Sequence, residues 1–264
     1  MPGAVLGRAL GGMSACVVIA LANHKGGCGK TTSTANLGVA LTERGLRVLL
    51  VDADPQANLS EAFAVPLDRR GLEHALAGDL DVEPIVVAAG LDVLATSETL
   101  VGVIAARAHE VEFAYALADV LERLRDRYGV ILIDTPPGVG PLSTMALIAA
   151  DRVIVPARPA DFDVGGAIKL AEAIAVDLVE ANSSLELLGV LLTQVDRRWV
   201  IGELARRQLA ASGVRRLATL IPFAVSVGAA PREGAPTMML RPDGSVARAY
   251  RQLAGDLLEL LSLR

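Results

Sequence analysis

The chain has 264 residues, a net charge of −5, a hydrophobic content of 52% and a mean hydropathy of +0.46. Its apolar residues form short runs, far below the ~20 consecutive residues that span a bilayer, which excludes a membrane-spanning protein. Its two cysteines, Cys16 and Cys28, give neither a disulfide framework nor zinc-ligand spacing. The composition predicts a soluble protein of the reducing cytoplasm.

The first residues of the chain are expected to be a disordered extension, residues 1–14. They contain one arginine and no adequate apolar core or cleavage site, so they are not typical of a signal peptide. Met13 directly precedes the first predicted strand and is a candidate for the physiological start. Residues 15–264 are predicted to form a single domain.

Short β-branched runs alternate with longer helical patterns along the chain. Strands are predicted at 16–22, 47–52, 91–96, 130–134, 152–156, 187–193 and 216–222. Helices are predicted at 30–43, 110–127, 166–181, 201–211 and 245–263. This alternation is typical of βαβ units, so we expect an α/β fold with a mostly parallel, twisted sheet of about seven or eight strands and helices on both faces. Residues 64–90 give no clear pattern.

The segment NHKGGCGKTTST, residues 23–34, joins the first strand to the first helix. It nearly meets the P-loop frame Gly-x-x-x-x-Gly-Lys-Thr, with Lys25 in place of the first glycine. In such a turn, backbone N–H groups and the helix N-terminus bind phosphate oxygens. Lys30 is then expected to contact the β- and γ-phosphates and Thr31 to offer its hydroxyl to Mg²⁺. The predicted nucleotide-binding residues are Lys25, Gly26, Gly27, Cys28, Gly29, Lys30, Thr31 and Thr32.

Lysine is scarce in this chain, which makes its position informative. Of 25 basic residues only three are lysines, and two of these, Lys25 and Lys30, lie in the glycine-rich turn. Elsewhere in the chain a basic residue is almost always arginine. A compact ammonium is therefore retained where a point charge for phosphate is useful. The alternative, a glycine turn with no chemical role, is disfavoured by this pattern and by the flanking strand and helix.

Three aspartates follow predicted strands. Asp52 and Asp54 end the run VLLVDAD, and Asp134 ends VILID. Ligands of open α/β sheets bind at the carboxyl ends of the strands. One aspartate there can hold a Mg²⁺-bound water, and a second can orient or deprotonate an attacking water. The alternative is that these aspartates cap the next helix, but together with the glycine turn they favour a nucleotide site.

Charge is unevenly distributed along the chain. From Arg197 to the end there are 11 arginines and five acidic residues, whereas the remainder carries a net charge of −11. The C-terminal part is therefore expected to meet an anionic partner.

Several motifs together resemble the ParA/Soj/MinD group of deviant Walker-A ATPases, and most closely the short ParA/Soj type that partitions chromosomes and plasmids. They are KGGCGKTT, VLLVDADPQANL, VILIDTPPGVGPLS, DRVIVPARP, GVLLTQVDRR, the Ile-Pro pair at 221 and 222, and AP-x-x-G-x-P at 230–236. The first three are highly specific and the later ones moderately so. The resemblance covers most of the chain from Cys16 onward and implies a P-loop NTPase fold with ATP and Mg²⁺ as cofactors.

The resemblance also implies a role for the extra lysine. In that family the lysine at the position of Lys25 reaches the nucleotide of the other subunit, so that ATP is sandwiched in a homodimer. The implied catalytic residues are Lys25, Lys30 and Asp54. The residues implied to organise Mg²⁺, mostly through water, are Thr31, Asp52 and Asp134.

The family binds DNA without sequence preference and is stimulated by a ParB-like centromere-binding protein, which implies a cytoplasmic, nucleoid-associated protein that does not bind membrane. The candidate DNA-binding residues are Arg197, Arg198, Arg206, Arg207, Arg215 and Arg216. Arg198 falls where the family places a DNA-contacting arginine. An alternative interpretation is solvated helix faces in an arginine-rich chain.

The sequence departs from the family pattern in one loop. Phe223, Ala224 and Ser226 replace an arginine, an asparagine and an arginine, which weakens the implied DNA surface and adenine contacts. One alternative is a MinD-like membrane-cycling ATPase, but Asp256 and Glu259 in the last helix oppose binding to anionic lipid. Another is a ParA-like ATPase that positions a protein cargo. For a metabolic enzyme of this fold, such as an amidoligase, the sequence shows no second substrate site.

Overall fold

The computed structural model describes residues 16–66, 68–176, 181–196 and 201–263. Its strands are β1 (Val17–Leu21), β2 (Val48–Asp52), β3 (Ile85–Ala88), β4 (Leu91–Leu94), β5 (Val130–Asp134), β6 (Arg152–Ala157) and β7 (Glu186–Leu192). They form a seven-stranded sheet in the order β3-β4-β2-β5-β1-β6-β7. All neighbouring strands are parallel except β3 and β4. The expected mostly parallel α/β sheet is confirmed.

The α-helices of the described residues flank this sheet. They are α1 (Lys30–Thr42), α2 (Asn58–Ala62), α3 (Leu72–Leu76), α4 (Leu100–Arg107), α5 (Ala116–Glu122), α6 (Pro141–Ala149), α7 (Asp161–Val176), α8 (Ile201–Ser212), α9 (Val225–Ala229), α10 (Thr237–Leu240) and α11 (Ser245–Leu260). Short 3₁₀ helices occur at Glu112–Tyr115, Arg125–Arg127 and Ala230–Glu233.

The sheet is buried on both faces because its strands are apolar at nearly every position. Along β1, Val18 and Ala20 pack in one apolar cluster, with residues of α5, α6 and α7. Ile19 and Leu21 point the other way and pack in a second cluster, with residues of α1 and α11 that include Tyr250. Successive side chains of a strand face opposite sides of the sheet, so a fully apolar strand requires helices on both faces.

Parallel pairing brings the predicted site residues to one edge of the sheet. The register of β2 and β5 places Asp52 directly opposite Asp134. β1 lies on the other side of β5 and ends at Leu21, just before the glycine-rich turn. The carboxyl ends of these three strands therefore lie next to one another, beside the glycine-rich turn.

The predicted strand at 216–222 is wrong. This segment follows the edge strand β7 but forms only isolated bridges, at Arg216 with Val190 and at Pro222 with Val195. Backbone N–H groups of Leu217 and Ile221 donate to Val190 and Leu192 of β7, but these bonds do not form a continuous ladder. The sheet therefore ends at β7.

Three other boundaries differ from expectation. The predicted helix at 110–127 is α5 with a 3₁₀ helix on each side, because tighter turns replace α-helical geometry at both ends. The helix predicted at 166–181 begins at Asp161, and residues 177–180 lie outside the described part. The unclear stretch 64–90 holds α3 and the antiparallel strand β3.

Two further expectations concern the chain as a whole. The extension at 1–14 lies outside the described residues, and the single domain at 15–264 stays a prediction. No helix in the described part of the chain is long and apolar enough to cross a membrane.

Candidate nucleotide-binding site

A glycine-rich turn connects β1 to α1 and adopts a conformation that needs its glycines. Gly27 and Gly29 have φ values of 68° and 90°, in the left-handed region that residues with a Cβ seldom occupy. Gly29 immediately precedes α1, which begins at Lys30. The turn therefore leads directly into a helix N-terminus, where unpaired N–H groups and the helix dipole favour an anion.

The turn forms one wall of a cleft of about 500 Å³. Six of the eight predicted nucleotide-binding residues line it: Gly26, Gly27, Gly29, Lys30, Thr31 and Thr32. Lys30 is nearly buried, and its ammonium donates to the carbonyl oxygen of Lys25 at 3.1 Å. Cys28 does not line the cleft, because its side chain is fully buried beneath the turn.

Asp52 is a fully buried carboxylate with three hydrogen-bond donors. Its Oδ1 accepts from the N–H of Asp54 at 3.2 Å, and its Oδ2 accepts from the N–H and the hydroxyl of Ser60 at 2.8 and 2.7 Å. Burial raises the pKa of Asp52 to about 6, against the opposing effect of these donors. These contacts hold the carboxylate in one orientation at the end of β2.

Asp134 is equally buried but lacks such partners. Neither of its oxygens accepts a hydrogen bond of ordinary geometry from a described residue. Burial first, and then the neighbouring Asp52, raise the pKa of Asp134 well above its usual range, while Thr31 and Lys30 lower it in part. An unpaired buried carboxylate is costly unless a cation neutralises it.

This arrangement fits a magnesium ion. The described residues contain no cluster of three or more histidine, cysteine or acidic side chains that could hold a metal alone. Mg²⁺, however, uses one or two protein oxygens and completes its shell with water and phosphate. Asp134 and Thr31 supply such oxygens beside the phosphate turn, and Asp52 lies next to them.

Asp54 lines the cleft and follows β2 by two residues. Its Oδ1 accepts from the N–H of Gln56 at 3.0 Å, which fixes the direction of the carboxylate. The structure thus brings Asp52, Asp54 and Asp134 together beside the turn, as predicted. Their individual roles stay predictions.

Lys25 does not line the cleft of its own chain. Its ammonium lies 2.5 Å from Oδ1 of Asp163, a buried residue near the start of α7. The lysine side chain remains 39% exposed. The two lysines of the turn therefore point to different places.

A glycine-rich phosphate turn, oxygens suited to Mg²⁺ and strand-end carboxylates lie together in this structure. Comparisons with known proteins identify the same kind of nucleotide-binding protein. A family model described as an AAA domain matches residues 16–187. The chromosome-partitioning ATPase Soj of Thermus thermophilus is 36% identical over 242 residues, covering 91% of this chain and 94% of that protein. The chain belongs to the ParA/MinD family of P-loop ATPases.

Solved structures resemble this ATPase over nearly its whole length. Cobyrinic acid a,c-diamide synthase of Mycobacterium smegmatis with bound ADP and magnesium is 32% identical, with a TM-score of 0.81, 94% of this chain and 96% of that chain covered. The cell division ATPase MinD of Pyrococcus furiosus is 28% identical, with a TM-score of 0.79, 94% of this chain and 100% of that chain covered. The expected P-loop NTPase fold is confirmed.

Sequence reasoning missed several residues of the ATPase that shape the cleft. The hydroxyl of Thr193 donates to the carbonyl oxygen of Cys28 at 2.7 Å, and the amide of Gln194 donates to that of Gly27 at 2.8 Å. These contacts hold the turn from the end of β7. The motif GVLLTQVDRR contains both residues, but the pattern alone does not indicate that they contact the turn.

The far wall of the cleft comes from the C-terminal part of the ATPase. Val227, Gly228, Ala230 and Pro236 line it with small or apolar surface. Thr237 also lines it, and its hydroxyl is buried without a hydrogen-bond partner among the described residues. Phe223, Ala224 and Ser226, at which the chain departs from the family pattern, precede this wall in the chain and do not line the cleft.

Four of the six candidate DNA-binding arginines lie in the described part of the ATPase. Arg206 and Arg207 are exposed on α8, Arg215 is exposed, and Arg216 is half-buried. Partial burial and then the charge of Arg206 lower the pKa of Arg216. The pair at 197 and 198 lies outside the described residues.

Proposed function

We propose that this ATPase forms a homodimer on binding ATP, binds DNA without sequence preference, and partitions DNA when a ParB-like centromere-binding protein stimulates hydrolysis. The observation that supports this most is the separation of the two lysines of the turn. Lys30 lines the cleft, whereas Lys25 lies outside it with a partly exposed side chain. Since one lysine suffices for the chain's own nucleotide, the second is available for the nucleotide of another copy.

Nucleotide binding is assigned to the cleft. The N–H groups of the turn and the N-terminus of α1 hold the phosphates, and Lys30 neutralises the β- and γ-phosphates. The small residues Gly228 and Ala230 of the far wall leave room for the base. Relatives support this assignment, because the Mycobacterium smegmatis synthase carries ADP and magnesium in a similar fold.

Hydrolysis is assigned to the strand-end carboxylates. Thr31 and Asp134 would hold Mg²⁺, with Asp52 orienting its water ligands. Bound Mg²⁺ would neutralise charge that develops on the transferred phosphoryl group. Asp54, whose carboxylate is oriented by the N–H of Gln56, would position the attacking water.

Dimerisation is assigned to Lys25. Two protomers that each carry a triphosphate repel one another unless each supplies a cation to the other. Lys25 can supply that cation because its side chain is not committed to its own cleft. ATP then becomes a condition for the dimer, and hydrolysis separates the protomers.

DNA binding is assigned to the arginines of the C-terminal part. Arg206 and Arg216 lie close enough for the charge of one to lower the pKa of the other. A phosphate anion between such groups relieves their repulsion and releases counterions from DNA. Relatives support the partitioning role, because Soj of Thermus thermophilus is named a chromosome-partitioning ATPase.

A membrane-cycling role of the MinD kind is the second candidate, and the last helix opposes it. Such a role needs an amphipathic helix whose apolar face is available to lipid. In α11 the residues Tyr250, Leu253 and Leu257 are buried at 1% exposure or less. The apolar face of this helix is already packed against the protein.

Co-sedimentation with random-sequence DNA tests the proposal. The assay is run with ATP, ADP and no nucleotide, beside the same series with vesicles that contain anionic lipid. We expect binding to DNA with ATP alone and no binding to vesicles. Sedimentation with vesicles instead of DNA would favour the MinD-like role, and binding to neither would favour a different cargo or a metabolic activity.

A further inference from the structure

Three charged side chains form a cluster beside the phosphate turn, outside the cleft. Each oxygen of the buried Asp163 carboxylate accepts a hydrogen bond from one cation. The ammonium of Lys25 donates to Oδ1 at 2.5 Å, and Nε of Arg158 donates to Oδ2 at 2.5 Å. Only 3% of the Asp163 side chain is exposed, against 39% for Lys25 and 43% for Arg158. The two cations thus cover one anion from the solvent side.

The main chain of Lys25 is fixed, so only its side chain can change partner. Its N–H donates to Oδ1 of Asn23 at 3.1 Å, and the amide of Asn23 donates to the carbonyl oxygen of Pro156 at 2.6 Å. Its carbonyl oxygen accepts from the ammonium of Lys30 at 3.1 Å. An exchange of partners by Lys25 therefore needs side-chain rotation and no movement of the turn.

Arg158, the second cation of the cluster, lowers the free energy needed to release Lys25 from Asp163. A buried carboxylate that loses its only partner is left as an uncompensated charge, which is strongly destabilising. Burial opposes ionisation of Asp163, but the hydrogen bonds from Arg158 and Lys25 outweigh it and hold its pKa below the usual range. If Lys25 leaves, Arg158 still neutralises the carboxylate.

We propose that Asp163 and Arg158 set the ATP requirement for dimerisation, by governing how readily Lys25 leaves its own chain for the triphosphate of a second copy. Asp163 holds Lys25 in place in the absence of a partner, and Arg158 lowers the cost of releasing it. Both are positioning residues, since they act through Lys25. The inference rests on the proposed ATP-dependent dimer.

The two residues are expected to have opposite effects. Asp163→Asn removes the competing charge, so dimerisation should need less of a non-hydrolysable ATP analogue. Arg158→Gln leaves Asp163 with Lys25 as its remaining cation of the cluster, so dimerisation should need more. Each shift is expected to be about twofold to fivefold, the range of a partly exposed ion pair. A merely structural role would weaken dimerisation in both variants.

Sedimentation-velocity ultracentrifugation across a titration of the analogue with Mg²⁺ measures these shifts. Arg152→Gln is a matched control, because Arg152 lies at the other end of β6 and pairs with Glu186 on β7. Arg152→Gln should dimerise at the same analogue concentration as the wild type. Arg158→Lys keeps the positive charge, so it should dimerise at a concentration closer to that of the wild type than Arg158→Gln does. In the Asp163→Asn background, Arg158→Gln should have no further effect.

The outcomes separate this inference from the proposed function. A wild-type protein that stays monomeric with the analogue would overturn the proposed dimer, and a Lys25→Ala variant that dimerises normally would overturn the assignment of Lys25 to it. If the wild type dimerises and Lys25→Ala does not, the dimer stands. An unchanged or weakened Asp163→Asn variant would then overturn the role of Asp163, and an unchanged Arg158→Gln variant that of Arg158. Monomer affinity for the analogue and thermal unfolding identify any variant with a damaged fold.

Discussion

Replacing Asp134 by asparagine tests whether the sheet edge holds an unpaired carboxyl group. Asp134 is fully buried and accepts no hydrogen bond of ordinary geometry within the described part of the chain, and burial together with Asp52 raises its pKa well above the usual value. A carboxyl group whose pKa is higher in the folded protein stabilises the fold below its unfolded pKa, and this contribution is lost as pH rises through the folded value. The nucleotide-free protein should therefore lose stability with rising pH, and Asp134→Asn should lose less.

The neighbouring carboxylate gives the scale of the effect. Burial raises the pKa of Asp52 from 3.8 to about 6 despite three donors. A shift of that size corresponds to ~3 kcal/mol. Burial and the charge of Asp52 shift the pKa of Asp134 in the same direction. The unsatisfied amide that Asp134→Asn introduces would cost ~1–3 kcal/mol at every pH. Relative to the wild type, the variant should thus gain stability as pH rises above about 4, the usual pKa of an aspartate in the unfolded chain.

Urea unfolding of nucleotide-free protein in the presence of a chelator measures this gain. The quantity compared is the difference in free energy of unfolding between variant and wild type, so that the other titrating groups cancel. Asp119→Asn, which changes an exposed carboxylate on α5, is the matched control and should not reproduce this gain. A difference for Asp134→Asn that also stays constant across the pH range would refute the reasoning.

Three further predictions concern binding. Lys30→Ala should abolish ATP binding measured by fluorescence, whereas Lys25→Ala should bind ATP at wild-type affinity and remain monomeric; equal dimerisation by both would contradict the assignments. The double variant Arg206→Ala/Arg207→Ala should lower DNA affinity and reduce the salt slope by about two, and an unchanged slope would place the surface elsewhere. Thr237→Val removes a buried hydroxyl without a described partner, so it should stabilise the nucleotide-free protein slightly and weaken ATP binding severalfold. An unchanged affinity for ATP would show that Thr237 does not contact the nucleotide.

The sequence predicts the sheet and the phosphate turn well because both depend on local patterns. The buried strands β1, β2 and β5 are apolar runs that end in, or lead to, polar site residues. The segment 216–222 has a similar apolar character but makes only isolated bridges, at Arg216 with Val190 and at Pro222 with Val195. Local composition does not reveal whether an apolar run pairs continuously with its neighbour.

The contacts that tune the site could not be predicted in the same way. Asp163 lies 138 residues from Lys25, and Thr193 lies 165 residues from Cys28. No spacing rule connects positions so far apart, and only the fold brings them together. The proximity of the three aspartates can be predicted from the sequence, because the carboxyl ends of parallel strands lie at the same edge of a sheet.

The inward position of Cys28 has a practical consequence. Its thiol is fully buried and its pKa is raised by burial, and burial likewise raises the pKa of the half-buried Cys16 to about 12. Maleimide reagents and crosslinkers react with exposed thiolates, so both native cysteines are poor targets. A single cysteine introduced on the surface can therefore carry a fluorophore or crosslink two copies while both natural thiols are left in place.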